Sequence, residues 1–142
     1  MRIAIGSDHA GFEYKEGIKD FLLRRGHEVQ DYGPNSKDPV DYPKFIRPVA
    51  EAVGRGDHDL GIILGGSGNG EAIVANRVKG IRCAVCWNED SARLARQHNN
   101  ANMISLGARF MTLSQALEIV RTWIESSFEG GRHQRRIDMI DS

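Results

Sequence analysis

Long apolar segments, excess charge of one sign and abundant cysteine are all missing from this sequence of 142 residues. No stretch approaches the roughly 20 consecutive apolar residues that a membrane-spanning helix needs. The first residues lack the apolar core and cleavage site of a secretion signal, so we expect a cytosolic protein. Lysine plus arginine number 19, as do aspartate plus glutamate, which gives a formal net charge of +0. This balance argues against a dedicated nucleic-acid or polyanion binder, whose affinity comes from excess basic residues.

The two cysteines, Cys83 and Cys86, stand in the run Cys-Ala-Val-Cys. A redox dithiol needs its thiols at a helix N-terminus, where a thiolate is stabilised. The segment 81–87 instead has the apolar pattern of a strand, and residues three apart on a strand point to opposite faces. One cysteine pair also cannot complete a four-ligand zinc site. We therefore expect two buried side chains that diverge.

Apolar residues alternate along the chain between short strand-like runs and helical stripes. The predicted strands are 2–6, 28–32, 60–64, 81–87 and 103–107, with helices between them, a helix after the last and a further helix in the basic end. Such alternation predicts an α/β fold in three layers, with a five-stranded parallel sheet between helices. We predict one domain over residues 1–142 with a basic segment at 131–142. The expected strand order is the flavodoxin-like 2-1-3-4-5.

Ligands of open α/β sheets bind outside the carboxyl ends of the strands, where the strand order reverses. In the predicted order that point lies between the first and third strands. Asp8 and His9 follow the first strand, and the glycine-rich run 65–70 follows the third, with Glu71 directly after it. These acidic residues also have structural explanations, because Asp8 suits a helix N-cap and Glu71 suits a first helical turn.

The glycine-rich run fits neither of two common phosphate-binding motifs. A P-loop needs Lys and then Ser or Thr after its second glycine, whereas Gly70 is followed by Glu71 and Ala72. A dinucleotide fingerprint belongs in the first strand–helix turn, not after the third strand. Glycines still let backbone amides approach a ligand, and Ser67 adds a hydroxyl donor. The run therefore predicts an oxyanion site, with Glu71 as a candidate general base.

Further candidates lie towards the carboxyl terminus. His98 ends the fourth predicted helix, and Arg109 follows the fifth strand. Arg132 and Arg136 share one helical face, and each guanidinium can give bidentate hydrogen bonds to an anion. His98, Arg132 and Arg136 are also compatible with ordinary solvated helix ends. The candidates together predict proton transfer beside the carbonyl of a phosphorylated small molecule. They comprise an oxyanion site, a carboxylate, an imidazole and arginines, without a metal cluster.

Four segments, at 6–11, 65–71, 98–102 and 132–136, resemble ribose-5-phosphate isomerase type B, in order and over essentially the whole chain. The resemblance implies interconversion of ribose 5-phosphate and ribulose 5-phosphate through an enediolate, with no metal and no organic cofactor. It also points to the branch of the family whose base is a glutamate, because Gly65 stands where the other branch has a cysteine.

The resemblance implies a role for each candidate residue. Glu71 is the base, His98 opens the furanose ring aided by Asp8, and Ser67 and the loop amides hold the enediolate oxygens. The implied substrate-binding residues are His9, Gly66, Gly68, Asn69, Gly70, Asn99, Arg109, Arg132 and Arg136. Family members are homodimers with shared sites, so His98, Asn99 and Arg109 are expected to face a neighbour's Glu71 loop; a tetramer stays open.

Two alternatives remain open at the level of sequence. An isomerase of a six-carbon sugar phosphate, such as allose or galactose 6-phosphate, needs nearly the same motifs, and the loop 33–42 can set substrate length. A non-catalytic flavodoxin-like nucleotide-binding module, or a signalling receiver, is a rival of another class. A receiver needs an acidic cluster after the first strand and a lysine after the last, where this chain has Asp8-His9 and Arg109.

Overall fold

The computed structural model describes residues 1–142 and contains five parallel strands. The strands are β1 (Arg2–Ser7), β2 (Glu28–Asp31), β3 (Leu60–Gly65), β4 (Cys83–Val85) and β5 (Met103–Gly107). The helices are α1 (Phe12–Arg24), α2 (Pro43–Gly54), α3 (Asn69–Asn76), α4 (Glu89–Gln97), α5 (Leu113–Glu125) and α6 (Arg132–Asp138), and a 3₁₀ turn spans Ala108–Phe110. The predicted α/β fold with a parallel five-stranded sheet is confirmed. None of the helices combines the length and hydropathy needed to cross a membrane.

The strand order is 2-1-3-5-4, so the predicted order 2-1-3-4-5 is wrong for the last two strands. β5 lies between β3 and β4, and every residue of β5 is buried. β4 is a three-residue edge strand that is only half-buried. A strand that is buried along its whole length gains most from neighbours on both sides, which explains the inner place of β5. The reversal between β1 and β3, which places the predicted site, is unaffected.

Helices cover both faces of the sheet. Helices α1, α4 and α5 pack on one face around the buried Trp123, and α2 and α3 pack on the other. The buried residues of α5 are Ala116, Ile119, Val120 and Trp123. The apolar residues at 113, 117, 120 and 124 predict a stripe on one helical face. The buried face is rotated from that stripe, because the large indole of Trp123 takes the central place against the sheet.

The two cysteines belong to opposite faces of the sheet, as expected from their spacing. Cys86 is buried with Trp123 in one core, whereas the half-buried Cys83 packs against the other. Both thiols are free. Burial raises the pKa of both, that of Cys86 to about 12. Neither thiol is therefore ionised near neutral pH, which argues against redox chemistry at this pair.

Side-chain caps define where two of the helices begin. Asn88 caps α4 and Thr112 caps α5, each in a reciprocal capping box. The spacing of Thr112 and Gln115 in the sequence predicts the second of these boxes. Helix α2 starts at Pro43 and continues through Pro48, so Pro48 neither ends the helix nor delays its start. Helix α4 ends at Gln97, and His98 follows it shortly before β5 begins, which places His98 at the edge of the sheet where the strands start.

Candidate active site

The residues that follow β1, β3 and β5 meet at one edge of the sheet, here called the carboxyl edge. It carries Asp8 and His9, the loop 66–70 with Glu71, and Arg109. The inner place of β5 brings Arg109 to the loop: its backbone amide donates to the Gly66 carbonyl at 3.1 Å, and its guanidinium lies against Gly66. The structure therefore places Arg109 beside the loop of its own chain. The expectation that it also faces a neighbour's loop stays a prediction.

Glu71 lies in the first turn of α3 with 4% of its surface exposed. Its carboxylate fills the space beside Gly65, where a Cβ at position 65 would collide with Oε1 of Glu71. Burial raises the pKa of Glu71; its own backbone amide lowers that pKa, and the charge of Asp8 raises it. A carboxylate with a raised pKa is better matched to proton abstraction near neutral pH than an exposed one.

The glycine loop presents unused backbone donors. The loop amides with no acceptor inside the chain are those of Gly66, Ser67, Gly68 and Gly70. Gly68 has φ 84, which glycine adopts without strain, and its carbonyl accepts a hydrogen bond of 2.7 Å from the buried hydroxyl of Ser105 on β5. The exposed Asn69 donates its amide to Oγ of Ser67 at 3.2 Å. The loop is thus held from below by the sheet, and its free amides are available to an oxyanion.

Asp8 and His9 both make hydrogen bonds that fix the loops around them. Oδ1 of Asp8 accepts the Gly11 amide at 2.9 Å, so Asp8 stabilises the turn before α1. It is not the N-cap itself, because that position is Gly11 and has no side-chain cap. Nδ1 of His9 accepts the Val40 amide at 3.3 Å. A neutral His9 ring therefore carries its proton on Nε2, which is left free to donate to a ligand.

Tyr42 is a component of this edge that sequence reasoning missed. Its ring lies so close over Gly70 that a Cβ at that glycine would be 2.7 Å from the Tyr42 hydroxyl. Tyr42 ends the loop 33–42, which the sequence had linked to substrate length. The contact depends on how that loop folds over α3, so no local sequence signal marks it.

The remaining candidates lie at the opposite edge, here called the amino edge. This group comprises His98, Asn99, Arg132 and Arg136. His98 precedes β5, whereas Glu71 follows β3, and the two strands are paired over five residues from Gly61–Met103 to Gly65–Gly107. At about 3.3 Å per residue, the two side chains are roughly 15 Å or more apart. Within one chain, His98 and Glu71 cannot act on neighbouring atoms of one small substrate.

At the amino edge the ring of His98 stacks on that of His133, with centroids 4.4 Å apart and planes inclined by 14°. Oε1 of Glu129 lies 4.0 Å from Nε2 of His98 and 3.4 Å from Nε2 of His133. These three side chains are close enough together to suggest a metal site. A metal held by two imidazoles lies near both ring planes, however, and stacked, nearly parallel rings do not aim their nitrogens at one point. The geometry favours an aromatic stack beside a carboxylate.

Arg132 and Arg136 flank His133 on α6 and are exposed. Neither takes part in an ion pair of the chain, whereas Arg93 and Arg121 each pair with an acidic residue on their own helix. Asn99, which follows His98, is exposed, and its carbonyl accepts a hydrogen bond from Nε of Arg82 at 3.0 Å. The amino edge therefore offers two uncompensated guanidinium groups next to an imidazole, a combination suited to a phosphorylated ligand.

The family model for "Ribose/Galactose Isomerase" matches residues 3–140 of this chain. The chain belongs to the ribose/galactose isomerase family. It is 47% identical over 142 residues to ribose-5-phosphate isomerase B of Mycobacterium leprae (strain TN), a match that covers 99% of this chain and 88% of that protein. The resemblance predicted from the four sequence segments is confirmed.

Solved structures of this family share the fold closely. Ribose-5-phosphate isomerase B of Clostridium thermocellum superposes with a TM-score of 0.98 at 50% identity, covering 99% of this chain and 95% of that one. The Mycoplasma genitalium enzyme, solved with bound ribulose-5-phosphate, gives a TM-score of 0.94 at 45% identity, covering 98% and 93%. Membership in an isomerase family argues against the nucleotide-binding alternative. The roles of the individual residues stay predictions.

Proposed function

We propose that this protein is an aldose–ketose isomerase that interconverts D-ribose 5-phosphate and D-ribulose 5-phosphate. The observation that carries the proposal is the buried carboxylate of Glu71, with its raised pKa, beside a loop of free amides. Similar members of the family are named for this reaction, and one was solved with its ketose bound.

Proton transfer takes place at the carboxyl edge. Glu71 removes the proton from C2 of the open-chain aldose; the C–H electron pair forms the C1–C2 double bond, and O1 becomes negative. The amides of the loop 66–70 and the Ser67 hydroxyl stabilise that charge, a type of contact whose loss costs about 10²–10³ in rate. A proton then passes from O2 to O1, and Glu71 returns its proton to C1, which yields the ketose.

Binding of the phosphate group positions the sugar. His9 offers Nε2–H and Arg109 a guanidinium at the carboxyl edge, and Arg132 and Arg136 supply two more guanidinium groups from the amino edge. Bidentate hydrogen bonds from guanidinium to phosphate oxygens fix orientation as well as charge. Binding energy remote from the reacting carbons then serves to align C2 with the carboxylate.

A complete site of this kind needs two copies of the chain, because the two edges lie on opposite sides of the sheet. We propose a homodimer in which His98, Asn99 and α6 of one subunit face the Glu71 loop of the other. Two-fold symmetry then gives two identical sites. The uncompensated charges of Arg132 and Arg136 support this arrangement, since a phosphate between the subunits neutralises them.

The test compares sugar phosphates of two lengths, because the family description includes galactose as well as ribose. We expect kcat/KM to be highest for ribose 5-phosphate and lower for allose 6-phosphate and galactose 6-phosphate. Isomerisation in D₂O should place deuterium at C1 of the ketose, detected by NMR. A clearly higher kcat/KM for a six-carbon phosphate would show that ribose 5-phosphate is not the preferred substrate. Turnover of none of the three would refute the proposed activity.

A further inference from the structure

We propose that His133 is a positioning residue that, together with Glu129, holds the ring of His98 in the orientation required for opening the sugar ring. The proposal rests on the proposed function, because it takes cyclic ribose 5-phosphate as the substrate and His98 as the group that opens it. In that step His98 moves a proton from O1 to the ring oxygen while the C1–O bond of the ring breaks and the C1=O1 double bond forms.

His98 has little else to define its orientation. It follows the last residue of α4, its side chain is 39% exposed, and Glu129 at 4.0 Å is too distant for a hydrogen bond. The stack on His133 is therefore the closest ring contact of His98. An imidazole that must both accept and donate a proton works only when its two nitrogens face the right atoms.

His133 is placed to support His98 and has little contact with solvent. It is 6% exposed, and its Nε2 has no hydrogen-bond partner although Oε1 of Glu129 lies only 3.4 Å away. A buried polar atom without a partner is unfavourable, and an apolar side chain of similar shape would avoid that cost. A histidine at this position is explained if the stack tightens around substrate. A small movement then lets Oε1 of Glu129 accept a hydrogen bond from Nε2–H of His133.

The backbone joins these three side chains into one unit. The amide of Glu129 donates to the carbonyl of Gln97 at 3.0 Å, which ties Glu129 to the end of α4 next to His98. Gly130 and Gly131, with φ 71 and 58, then turn the chain into α6. That turn brings His133 back over His98 and leaves Arg132 and Arg136 outside. One short helix thus carries both the proposed phosphate ligands and the support of the ring-opening group.

The inference can be tested because ring opening and proton abstraction are separable. Ribulose 5-phosphate carries its phosphate on O5 and forms no furanose ring, so exchange of its C1 proton with D₂O needs Glu71 but no ring opening. For full-length His133→Ala we expect kcat/KM on ribose 5-phosphate to fall at least about tenfold. The rate of C1 exchange in ribulose 5-phosphate, followed by NMR, should stay within about twofold of wild type, as a displaced His98 does not touch that step.

His133→Phe keeps a ring to stack on and should recover most of the activity that the alanine variant loses, whereas Glu129→Gln should lower only turnover of ribose 5-phosphate. Gln134→Ala, an exposed change on the same helix, is the matched control and should alter neither measurement. Equal losses in both assays for His133→Ala, or no loss in either, would overturn the positioning role. If His133→Ala does not fold, Glu129→Gln decides: a loss confined to turnover of ribose 5-phosphate supports the role, and equal losses in both assays, or none, overturn it. An inactive wild-type protein would refute the proposed function instead.

Discussion

The two edges of the sheet hold their functional groups by different means. The carboxyl edge carries backbone amides and one buried carboxylate. Glycines at this edge have no side chains and so leave the space that the carboxylate occupies. The amino edge uses long side chains on the end of α4 and on the seven-residue α6, most of them exposed. Proton abstraction from carbon needs a base that is shielded from water and held rigidly. A phosphate can instead be bound by exposed charges, which a second copy of the chain would enclose in the proposed dimer.

The largest effect is expected from removing Glu71, the proposed base at the carboxyl edge. Glu71→Gln keeps the shape of the side chain but cannot take a proton, so kcat should fall by about 10²–10⁴ with substrate still bound. Steady-state kinetics and binding calorimetry measure the two quantities. Glu51→Gln, an exposed change on α2, is the control and should behave as wild type. Full activity in Glu71→Gln would mean that another group is the base.

A smaller but still large loss is expected from filling the space that Gly65 leaves open. The Cβ of Gly65→Ala collides with the Glu71 carboxylate and displaces it, and a misplacement of that kind costs about 10² in kcat. In Gly54→Ala the new Cβ has its nearest neighbours at 3.5 Å, so this variant should keep its activity. Unchanged kcat in Gly65→Ala would show that the carboxylate does not need its present place.

Mixing two inactive variants tests whether the edges of different chains combine. Glu71→Gln and His98→Asn should each turn over little ribose 5-phosphate alone. After unfolding and refolding together, half of the dimers pair one variant with the other, and each of these has one intact site, so about a quarter of wild-type activity should return. If nothing returns while mixed dimers form, both residues act within one chain and the comparison of the two edges loses its functional meaning.

The smallest expected effect is a shift in the pH dependence of kcat/KM when one charge at the carboxyl edge is removed. In the proposed mechanism Glu71 must be ionised, so kcat/KM should fall as the pH drops through its pKa, which burial and the charge of Asp8 raise above the ordinary value. Asp8→Asn removes that charge but keeps the oxygen that accepts the Gly11 amide. The acid limb should move to lower pH in this variant. A limb that moves to higher pH, or not at all, would contradict the coupling between Asp8 and Glu71.

Much of the local structure follows from short-range chemistry. The Asn88 cap, the capping box at Thr112, the apolar strand runs and the glycine-rich loop before Glu71 could all be predicted, since each depends on residues within a few positions. The buried face of α5 was predicted less well, because Trp123, and not the helical stripe alone, determines how that helix packs.

The order of the last two strands could not be predicted, because the runs that form β4 and β5 are both short and apolar, and their pairing depends on distant strands. That order places Arg109 beside Gly66. The folding of the loop 33–42 likewise places Tyr42 over Gly70, and the turn at Gly130 places His133 on His98.

Residue types and spacing alone therefore determine which groups this protein brings to its chemistry: a carboxylate, imidazoles, loop amides and arginines. Tertiary structure decides which of them meet. Pairing of β3 with β5 separates Glu71 from His98 by the length of a strand, and burial against Gly65 turns an ordinary glutamate into one with a raised pKa. The reason is that distance across a sheet and exclusion of water arise only when segments far apart in the chain pack together.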